Sequence, residues 1–318
     1  MTIDLETLSP GQRAAFGARD RWIDRANHPD RRGKQIPPDP GQTGRDYNVW
    51  FALAGRGWGK SETLSQFSWY EAHRVPNIIG HIISPTISEL KKVMFEGPVG
   101  ILSCVPNECL LGGSREIAYN KTDKIIKFAS GSQLYGFSAT EDGEALRGPQ
   151  SHFTVCDEIA KWDRPAGTLK TAYHNAALGT RLKYPDGTPS RLYIAGTPKG
   201  IPFIRELIAR RDVFTVRGTT YENLGNLAEN YKAEILVLEG TTLGRQEIHG
   251  ELLDLDELGI FNRSWFQLWP AGKKLPEFSF VIESYDTAAS DDDIDQKTRE
   301  TDYTACTVWG VFNIAGAF

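Results

Sequence analysis

The sequence predicts an α/β fold built on a mostly parallel β-sheet. Apolar runs of strand length alternate with helical patterns between residues 48 and 220, and this alternation is typical of a parallel sheet that helices cover on both faces. Two of the runs end in residues suited to phosphate or metal chemistry. The run at residues 49–53 precedes a glycine-rich turn, and the run at residues 153–156 precedes Asp157-Glu158. The same segments therefore predict the fold and the position of a candidate site.

Length, composition and charge limit the classes of protein that fit. The 318 residues suggest about two domains of roughly 150 residues each. No apolar run approaches the ~20 residues of a membrane span, and the polar N-terminus predicts no signal peptide. Four scattered cysteines without a Cys-x-x-Cys pair predict neither a zinc site nor disulfides, and hence a reduced intracellular protein. The net charge of −5 does not favour nucleic acid binding, although a local basic face would suffice.

The N-terminal residues predict one helix followed by a linker. Ser9-Pro10 has the pattern of an N-cap and first helical residue, and the helical pattern continues to about Ala26. Residues 28–45 are rich in Pro, Gly, Arg and Asp and lack periodicity, which indicates a loop. Its basic residues could contact phosphate, but a solvated loop is the favoured interpretation. These basic residues include Arg31, Arg32 and Lys34.

Residues 54–61, Ala-Gly-Arg-Gly-Trp-Gly-Lys-Ser, have the composition of a phosphate-binding loop. A predicted strand precedes them and a helical pattern at residues 62–71 follows, which is the context that the motif requires. Gly55, Gly57 and Gly59 would let backbone N–H groups point at phosphate, and the helix N-terminus adds further donors. Lys60 would bind the β- and γ-phosphates, and the Ser61 hydroxyl would bind Mg²⁺. Because Ala54 stands where glycine is usual, an ordinary strand-to-helix turn is the alternative.

The remaining elements continue the same alternation. Residues 222–254 have a mainly helical pattern, and residues 278–282 and 303–311 resemble the first hairpin of a second sheet. Strands are predicted at residues 77–83, 153–156, 191–195 and 213–220, a hairpin at residues 125–128 and 133–137, and helices at residues 86–96 and 162–178.

Asp157-Glu158 is the second part of an ATPase prediction. Asp157 could bind Mg²⁺, directly or through water, and Glu158 could polarise the water that attacks the γ-phosphate. By itself the pair could equally be a helix N-cap. Downstream of a phosphate loop, ATP hydrolysis is the favoured interpretation, because positioning and electrostatics are most of what phosphoryl transfer requires.

Three further residues are candidates for the same chemistry. Arg147 lies in a polar loop upstream of Asp157 and could supply the cation that a phosphoryl transition state needs, and Arg56 in the phosphate loop is a second candidate. Either could instead be a surface arginine. Thr197 follows a predicted strand, where its hydroxyl could sense the γ-phosphate, although a plain Gly-Thr-Pro turn explains it as well.

Asp286 and Asp302 could form part of a second metal site. Each flanks a predicted strand near the end of the chain, and nucleases that use two Mg²⁺ ions need such carboxylates. An aspartate at a strand end is more often a turn or cap residue, and residues 291–295 fit a solvated acidic loop better than a metal cage.

The order and spacing of these motifs resemble the large subunit of a tailed-bacteriophage terminase, the genome-packaging motor. The resemblance covers nearly the whole chain from about residue 47. Each motif is loose alone, but their order is specific. The matching segments are residues 56–61 (Arg-Gly-Trp-Gly-Lys-Ser), 84–86 (Ser-Pro-Thr), 146–148 (Leu-Arg-Gly), 155–158 (Val-Cys-Asp-Glu), 196–200 (Gly-Thr-Pro-Lys-Gly), 219–223 (Thr-Thr-Tyr-Glu-Asn), 250–252 (Gly-Glu-Leu), 285–288 (Tyr-Asp-Thr-Ala) and 301–305 (Thr-Asp-Tyr-Thr-Ala).

The resemblance implies a phosphate-loop (ASCE-type) ATPase followed by the start of a ribonuclease-H-like α/β nuclease. Residues 1–46 would be an N-terminal helix and linker, residues 47–222 the ATPase domain, residues 223–277 a helical connector and residues 278–318 an incomplete nuclease domain. The resemblance also implies a role for each matched residue. Lys60 would bind phosphate, Ser61 and Asp157 would bind Mg²⁺, and Glu158 would position the water. Thr197 would couple hydrolysis to DNA movement, and Arg147 would be the arginine finger. Asp286 and Asp302 would bind the metal ions of the nuclease.

The cofactors and partners implied by the resemblance are those of a packaging motor. ATP with Mg²⁺ would occupy the ATPase site, and Mg²⁺ or Mn²⁺ the nuclease site. The partners would be double-stranded DNA, a portal protein, a small terminase subunit and copies of the chain in a ring, which is expected to be pentameric. The protein would act in the host cytoplasm and transiently at the procapsid portal, without a membrane and outside the mature virion.

The sequence departs from the family in one respect, and three rival functions remain as alternatives. The chain ends inside the expected nuclease domain, and because a lone hairpin is marginal in water, we expect this chain to lack nuclease activity. A helicase-type motor is a rival, but its second motor domain is missing from the sequence. A non-catalytic assembly platform is the second rival, and it predicts no DNA-stimulated ATP turnover. A metal-dependent nuclease as the main activity is the third, and the missing C-terminal carboxylates argue against it.

Overall fold

A computed structural model describes residues 34–38, 46–140, 144–164, 167–253, 265, 269–270, 272–286 and 305–312. The predicted N-terminal helix, the acidic loop at residues 291–295 and Asp302 lie outside these ranges. The chain divides into two compact units, Met1–Gly259 and Ile260–Phe318, which are described separately. The four-part division predicted from the sequence stays a prediction.

The first unit contains one eight-stranded sheet. Its strands are β1 (Val49–Ala54), β2 (Ile79–Ser84), β3 (Tyr119–Asn120), β4 (Ile125–Lys127), β5 (Gln133–Ser138), β6 (Phe153–Cys156), β7 (Arg191–Gly196) and β8 (Val213–Gly218). Across the sheet the order is β3-β4-β5-β2-β6-β7-β1-β8. All neighbours from β5 to β8 are parallel, whereas β4 pairs antiparallel with both β3 and β5. The predicted mostly parallel sheet and the predicted hairpin of β4 and β5 are confirmed.

Helices connect the strands. They are α1 (Lys60–Arg74), α2 (Ile87–Glu89), α3 (Ile101–Cys104), α4 (Arg115–Ala118), α5 (Thr168–Gly179), α6 (Pro202–Ala209), α7 (Glu229–Leu238) and α8 (Thr242–Glu247). A π-helix at Leu90–Phe95 continues α2, and 3-10 helices lie at Asn107–Cys109, Leu111–Gly113, Ile159–Lys161 and Thr220–Asn226. No helix in the described ranges has both the length and the apolar character needed to span a bilayer.

The core lies on both faces of the sheet. Successive side chains of a strand point to opposite faces, and β1 is fully buried along its whole length. Trp50 accordingly packs in the cluster that contains Phe67 of α1. Its neighbour Phe51 packs in the other cluster, with Leu169 of α5 and Leu207 of α6. Burial on both faces explains why the strand predicted at residues 49–53 reads as a continuous apolar run.

Several element bounds differ from the predictions for local reasons. The helix predicted at residues 86–96 is a short α-helix capped by the Thr86 hydroxyl, which then widens into the π-helix. The helix predicted at residues 162–178 begins at Thr168, after Gly167 with a φ of 90°. The strand predicted to reach residue 220 ends at Gly218, because the Thr220 N–H bonds the Ile248 carbonyl instead of a strand.

Among its described residues, the second unit contains one antiparallel pair of strands. β9 (Phe280–Asp286) pairs with β10 (Ala305–Val311), with Asp286 opposite Ala305. The strand pair agrees with the hairpin predicted from residues 278–282 and 303–311. The side chains of Ile282 and Trp309, which are paired across the two strands, are 52% and 60% exposed. The ribonuclease-H-like continuation of this sheet stays a prediction.

Candidate functional site

The phosphate loop connects β1 to α1, as the sequence predicts. Gly57 and Gly59 have φ angles of 79° and 105°, which are conformations that side chains other than glycine rarely adopt. A Cβ atom at Gly55 would lie 2.5 Å from the Ile248 carbonyl oxygen, so this position also excludes a side chain. Ala54 is the last residue of β1 and is fully buried. Alanine there is compatible with the loop, because the loop turns only after it.

Three successive carbonyl groups of the loop are bound by side chains from outside the loop. The carbonyl oxygens of Arg56, Gly57 and Trp58 each accept a hydrogen bond from a side chain, at 2.6, 2.6 and 2.7 Å. The donors, in that order, are Thr220, Asn223 and Gln35. In a trans peptide the N–H points opposite to the carbonyl. The N–H groups that follow these carbonyls therefore point away from the side chains that hold the loop, as a loop that receives phosphate requires.

Lys60 is buried at the start of α1 and faces back toward the loop. Its Nζ atom donates to the carbonyl oxygens of Ala54 at 2.8 Å and Gly55 at 3.0 Å. It also lies 3.4 Å from Thr197 Oγ1 and 3.9 Å from Glu158 Oε1. Burial lowers the pKa of Lys60, while the nearby carboxylates of Glu158 and Asp157 oppose that shift. The ammonium group is thus held between the loop and the carboxylates.

The sheet order brings the predicted residues together. β7 lies between β6 and β1, and the three strands are parallel. Their carboxyl ends therefore meet at one edge, where ligands of such sheets bind. Asp157-Glu158 follows β6, Thr197 follows β7 and the phosphate loop follows β1. The sequence proposed these residues one by one, and the structure places them at one site.

Asp157 has the environment of a buried metal ligand. Its Oδ1 atom is buried and has no hydrogen-bond partner among the described residues. Burial, and then the charge of Glu158, raises the pKa of Asp157 to about 7. An unpartnered buried carboxylate oxygen is costly unless a cation or donor reaches it. This donor set fits a Mg²⁺ ion that arrives with a nucleotide.

Ser61 is the second candidate ligand and lies half-buried in the first turn of α1. Mg²⁺ usually takes one or two protein oxygens and completes its shell with phosphates and water. Within the described residues no group of three or more His, Cys, Asp or Glu side chains could hold a metal ion by itself. Ser61 and Asp157 would supply two such protein oxygens to a nucleotide-bound ion.

Glu158 has a left-handed backbone conformation, with φ 44° and ψ 50°. Its carboxylate accepts from the Thr197 N–H at 3.4 Å and from Thr197 Oγ1 at 3.4 and 3.5 Å. The Glu158 side chain is 23% exposed, so water can reach it. A non-glycine residue with this φ is uncommon and such strain is often found at functional sites.

The two candidate arginines have no hydrogen bond or ion pair to Lys60, Asp157 or Glu158 within the described ranges. The Arg56 side chain is 72% exposed, and its Nε lies 3.2 Å from Glu247 Oε2. Arg147 is 79% exposed and lies 3.9 Å from Glu144. It lines a surface cavity of about 510 Å³ together with Arg181. Both side chains are largely exposed to solvent.

The second metal site is outside what the structure describes in detail. Asp286 ends β9, and only its backbone placement is described. Asp302 lies outside the described residues. The pairing of these two aspartates in one metal site stays a prediction.

Sequence reasoning missed the residues that hold the loop from outside. Gln35 lies in a segment interpreted as a solvated loop, yet its side chain is fully buried against the phosphate loop. Thr220 and Asn223 belong to a segment that only the family resemblance marks, and no pattern in the sequence marks Glu247. The Glu247 carbonyl accepts from the Arg56 N–H at 2.6 Å. No local pattern reveals such contacts, because each partner is distant in the chain.

Fold and site together define the class: this is a phosphate-loop ATPase fold. A family model described as "Terminase large subunit, T4likevirus-type, N-terminal" matches residues 51–268. The match spans more than half of the chain and includes the phosphate loop, Asp157-Glu158 and Thr197. The chain belongs to this family of terminase large subunits.

Solved structures of large terminases are similar to this chain at low sequence identity. A large terminase from a thermophilic bacteriophage, in complex with ADP, is 13% identical with a TM-score of 0.50, and the alignment covers 88% of this chain and 63% of that one. A complex of that large terminase with ATP-γ-S is 14% identical with a TM-score of 0.46, and the alignment covers 96% of this chain and 65% of that one. The ATPase domain of the Thermus phage P74-26 large terminase is 17% identical with a TM-score of 0.46, and the alignment covers 69% of this chain and 94% of that domain. This chain thus spans less than two thirds of the thermophilic phage protein. No curated protein matches it.

Proposed function

We propose that the chain hydrolyses ATP to move double-stranded DNA into an empty viral capsid. Membership of the terminase large subunit family supports the packaging role. The observation that carries the hydrolysis is the arrangement of Lys60, Glu158 and Thr197 beside the phosphate loop, with Lys60 Nζ 3.9 Å from the Glu158 carboxylate. A terminase of the same fold is described as a complex with ADP, which supports a nucleotide as the ligand.

In this proposal the phosphate loop and Lys60 bind the nucleotide. The N–H groups of the loop and the N-terminus of α1 would receive the phosphates. Lys60 would exchange its two loop carbonyls for the β- and γ-phosphate oxygens. The exchange replaces neutral carbonyl acceptors with anionic oxygens, which adds a Coulomb attraction to the hydrogen bonds of the ammonium group.

Ser61 and Asp157 would hold the Mg²⁺ that accompanies the nucleotide. When bound, that ion supplies positive charge to the phosphate oxygens. The unpartnered Oδ1 atom of Asp157 supports this role, since the buried oxygen would gain a partner. The negative form of Asp157 would then be favoured over the neutral one.

Glu158 would orient and polarise the attacking water. The proposal rests on its half-buried carboxylate at the mouth of the site and its contacts with Thr197 and Lys60. Thr197 would register the loss of the γ-phosphate through the same contacts, and so link hydrolysis to movement. Arg147 on its exposed loop would reach the nucleotide of a neighbouring copy, with Arg56 as the alternative.

The family also directs the proposal for the other parts. Asp286 and Asp302 would bind Mg²⁺ or Mn²⁺ in a nuclease that cuts concatemeric DNA. The partners would be the portal protein, the small terminase subunit and other copies of the chain in a pentameric ring. The place of action would be the host cytoplasm and, transiently, the procapsid portal.

ATP hydrolysis by wild type and Glu158→Gln, with and without double-stranded DNA, tests the proposal. Glutamine keeps the shape of the side chain but cannot polarise water as a carboxylate does. We expect turnover to fall about 10²–10⁴-fold, while ADP binding is retained. The matched control is Glu206→Gln, which removes an exposed carboxylate that pairs only weakly with Lys170 at 3.5 Å.

Two results would contradict the proposal in different ways. Equal turnover of Glu158→Gln and Glu206→Gln would remove Glu158 from the chemistry. A wild-type chain that neither binds ADP nor hydrolyses ATP, with or without DNA, would remove the ATPase function itself.

A further inference from the structure

The segment directly after β8 is bound to the phosphate loop by three of its side chains. Thr220, Glu222 and Asn223 lie in the 3-10 helix Thr220–Asn226. Thr220 Oγ1 donates to the Arg56 carbonyl at 2.6 Å, and Asn223 Nδ2 donates to the Gly57 carbonyl at 2.6 Å. Both donors are buried, at 0% and 5% exposure.

Glu222 binds the loop through a side chain and not through a carbonyl. Trp58 Nε1 donates to Glu222 Oε2 at 3.0 Å, and Lys34 Nζ lies 2.8 Å from Glu222 Oε1. The Trp58 ring is 1% exposed and packs on Gly218, where a Cβ atom would lie 2.0 Å from the indole nitrogen. The carboxylate therefore ties a buried loop residue to the end of β8 and to Lys34.

These contacts fix the orientation of the loop peptides. Each side chain binds on the carbonyl side of the loop or at the Trp58 ring, and a peptide N–H points opposite to its carbonyl. Thr220 and Asn223 therefore lie on the side of the loop opposite to the N–H groups that follow the Arg56 and Gly57 carbonyls. A glycine-rich loop loses much conformational freedom when it is ordered. Contacts that order it before the ligand arrives remove that cost from binding.

We propose that Thr220, Glu222 and Asn223 are positioning residues that preorganise the phosphate loop for nucleoside di- and triphosphates. They would set the affinity for the phosphate groups without touching them. This inference rests on the proposed ATPase function. It adds Thr220, Glu222 and Asn223 to the residues already assigned to that function, which are the phosphate loop, Asp157-Glu158 and Thr197.

The test measures ADP binding to the full chain in the presence of Mg²⁺ by titration calorimetry. The variants are Glu222→Leu, Trp58→Phe and the double variant. Each single variant removes one partner of the same hydrogen bond, so we expect about tenfold weaker ADP binding for each. We expect the double variant to be little weaker than either single one, because the losses share one interaction. Turnover of Glu222→Leu at saturating ATP should fall less than about threefold, since bound phosphate itself orders the loop.

Three further variants separate positioning from a general loss of structure. Glu222→Gln keeps an oxygen that accepts from the Trp58 indole, and we expect it to restore ADP affinity to near the wild-type value. Tyr221→Phe is the matched control in the same segment, because the Tyr221 hydroxyl donates to Glu239 at 2.6 Å and not to the loop. Thr220→Val keeps the side-chain shape and tests a second contact if Glu222→Leu fails to fold.

Each result has one meaning. Unchanged ADP affinity in Glu222→Leu and Trp58→Phe, or in Thr220→Val, with a wild type that binds ADP, would overturn this inference alone. Losses that simply add in the double variant would overturn the action of Glu222 through Trp58. A wild type without ADP binding or ATP turnover would overturn the proposed function, and this inference with it.

Discussion

Glu158 shows how one residue's conformation depends on its neighbours. In the described part of the chain, Asn77, Lys124 and Glu158 are the non-glycine residues with positive φ. A left-handed residue costs roughly 1–2 kcal/mol, and the hydrogen bonds from Thr197 to the Glu158 carboxylate help to offset this. The conformation aims the carboxylate at Lys60 and Thr197 instead of along the sheet. The strain therefore coincides with the residue that is proposed to position water.

A buried histidine makes stability depend on pH. His81 in β2 is 4% exposed and packs between the rings of Tyr135 and Phe137. Burial lowers the pKa of His81 to about 4, from 6.5 in the unfolded chain. Between these values the unfolded chain binds a proton and the folded chain does not, so stability falls as the pH is lowered. The loss from pH 7 to pH 4 reaches about 3 kcal/mol for this residue.

We expect His81→Leu to remove that part of the pH dependence. The measurement is the urea unfolding free energy at several values between pH 7 and pH 4, for wild type and variant. The unfolding free energy of the wild type should fall more steeply from pH 7 to pH 4 than that of the variant. His174→Leu, which changes an exposed histidine, should follow the wild type. A His81→Leu curve parallel to the wild type would contradict the prediction.

Helix α1 is fixed at both of its ends, and this fixes the phosphate loop. At its N-terminus Gly59 accepts from Thr63 N–H and the loop is bound from outside. At its C-terminus Arg74 binds Glu71 through two hydrogen bonds of 3.0 and 2.9 Å and reaches Asp186 at 2.7 Å. Glu71 is 8% exposed, so Arg74 binds a carboxylate that is largely shielded from water. The ion pairs hold the last turn of α1 against the loop that precedes β7.

We expect Arg74→Met to destabilise the protein by about 2 kcal/mol, because it leaves the buried Glu71 carboxylate without its cation. The figure is below that of a fully buried pair, since Arg74 is 31% exposed. Urea unfolding measures it. Lys170→Met, which removes one partner of the exposed pair with Glu206, should change stability by less than about 0.5 kcal/mol. Similar values for both variants would show that the Arg74 pair has no special role.

At the scale of the molecule, the described contacts of the nucleotide site all lie in the first unit. Gln35, the phosphate loop, Asp157-Glu158, Thr197 and residues 220–223 belong to Met1–Gly259. The sheet that positions them has buried residues on both faces, in two separate clusters. The nucleotide site should therefore depend little on the second unit.

We expect residues 1–259 alone to bind ADP within about threefold of the full chain, because the energy of preorganisation comes from contacts inside this unit. Titration calorimetry of both proteins measures the two affinities, and circular dichroism checks that the shorter protein is folded. A folded 1–259 protein that binds ADP more than tenfold more weakly would show that residues 260–318 complete the site.

The sequence by itself determined the local features of this protein. Continuous apolar runs mark the strands because both faces of the sheet are buried, and the loop at residues 54–61 is readable because its glycines, Lys60 and Ser61 are adjacent in the chain. Asp157-Glu158 is visible for the same reason. What these features share is that the physical requirement and the residues that meet it lie within a few positions of each other.

Only the tertiary structure decided which side chains hold the loop and how the site residues meet. Thr220 and Asn223 lie 164 and 166 residues from the carbonyls that they bind, and Gln35 lies 23 residues away. Thr197 reaches Lys60 because β7 lies beside β1 in the sheet, an order that runs against the order of the chain. Hydrogen-bond partners at such separations depend on strand order and on the path of the whole chain, which no short pattern of residues encodes.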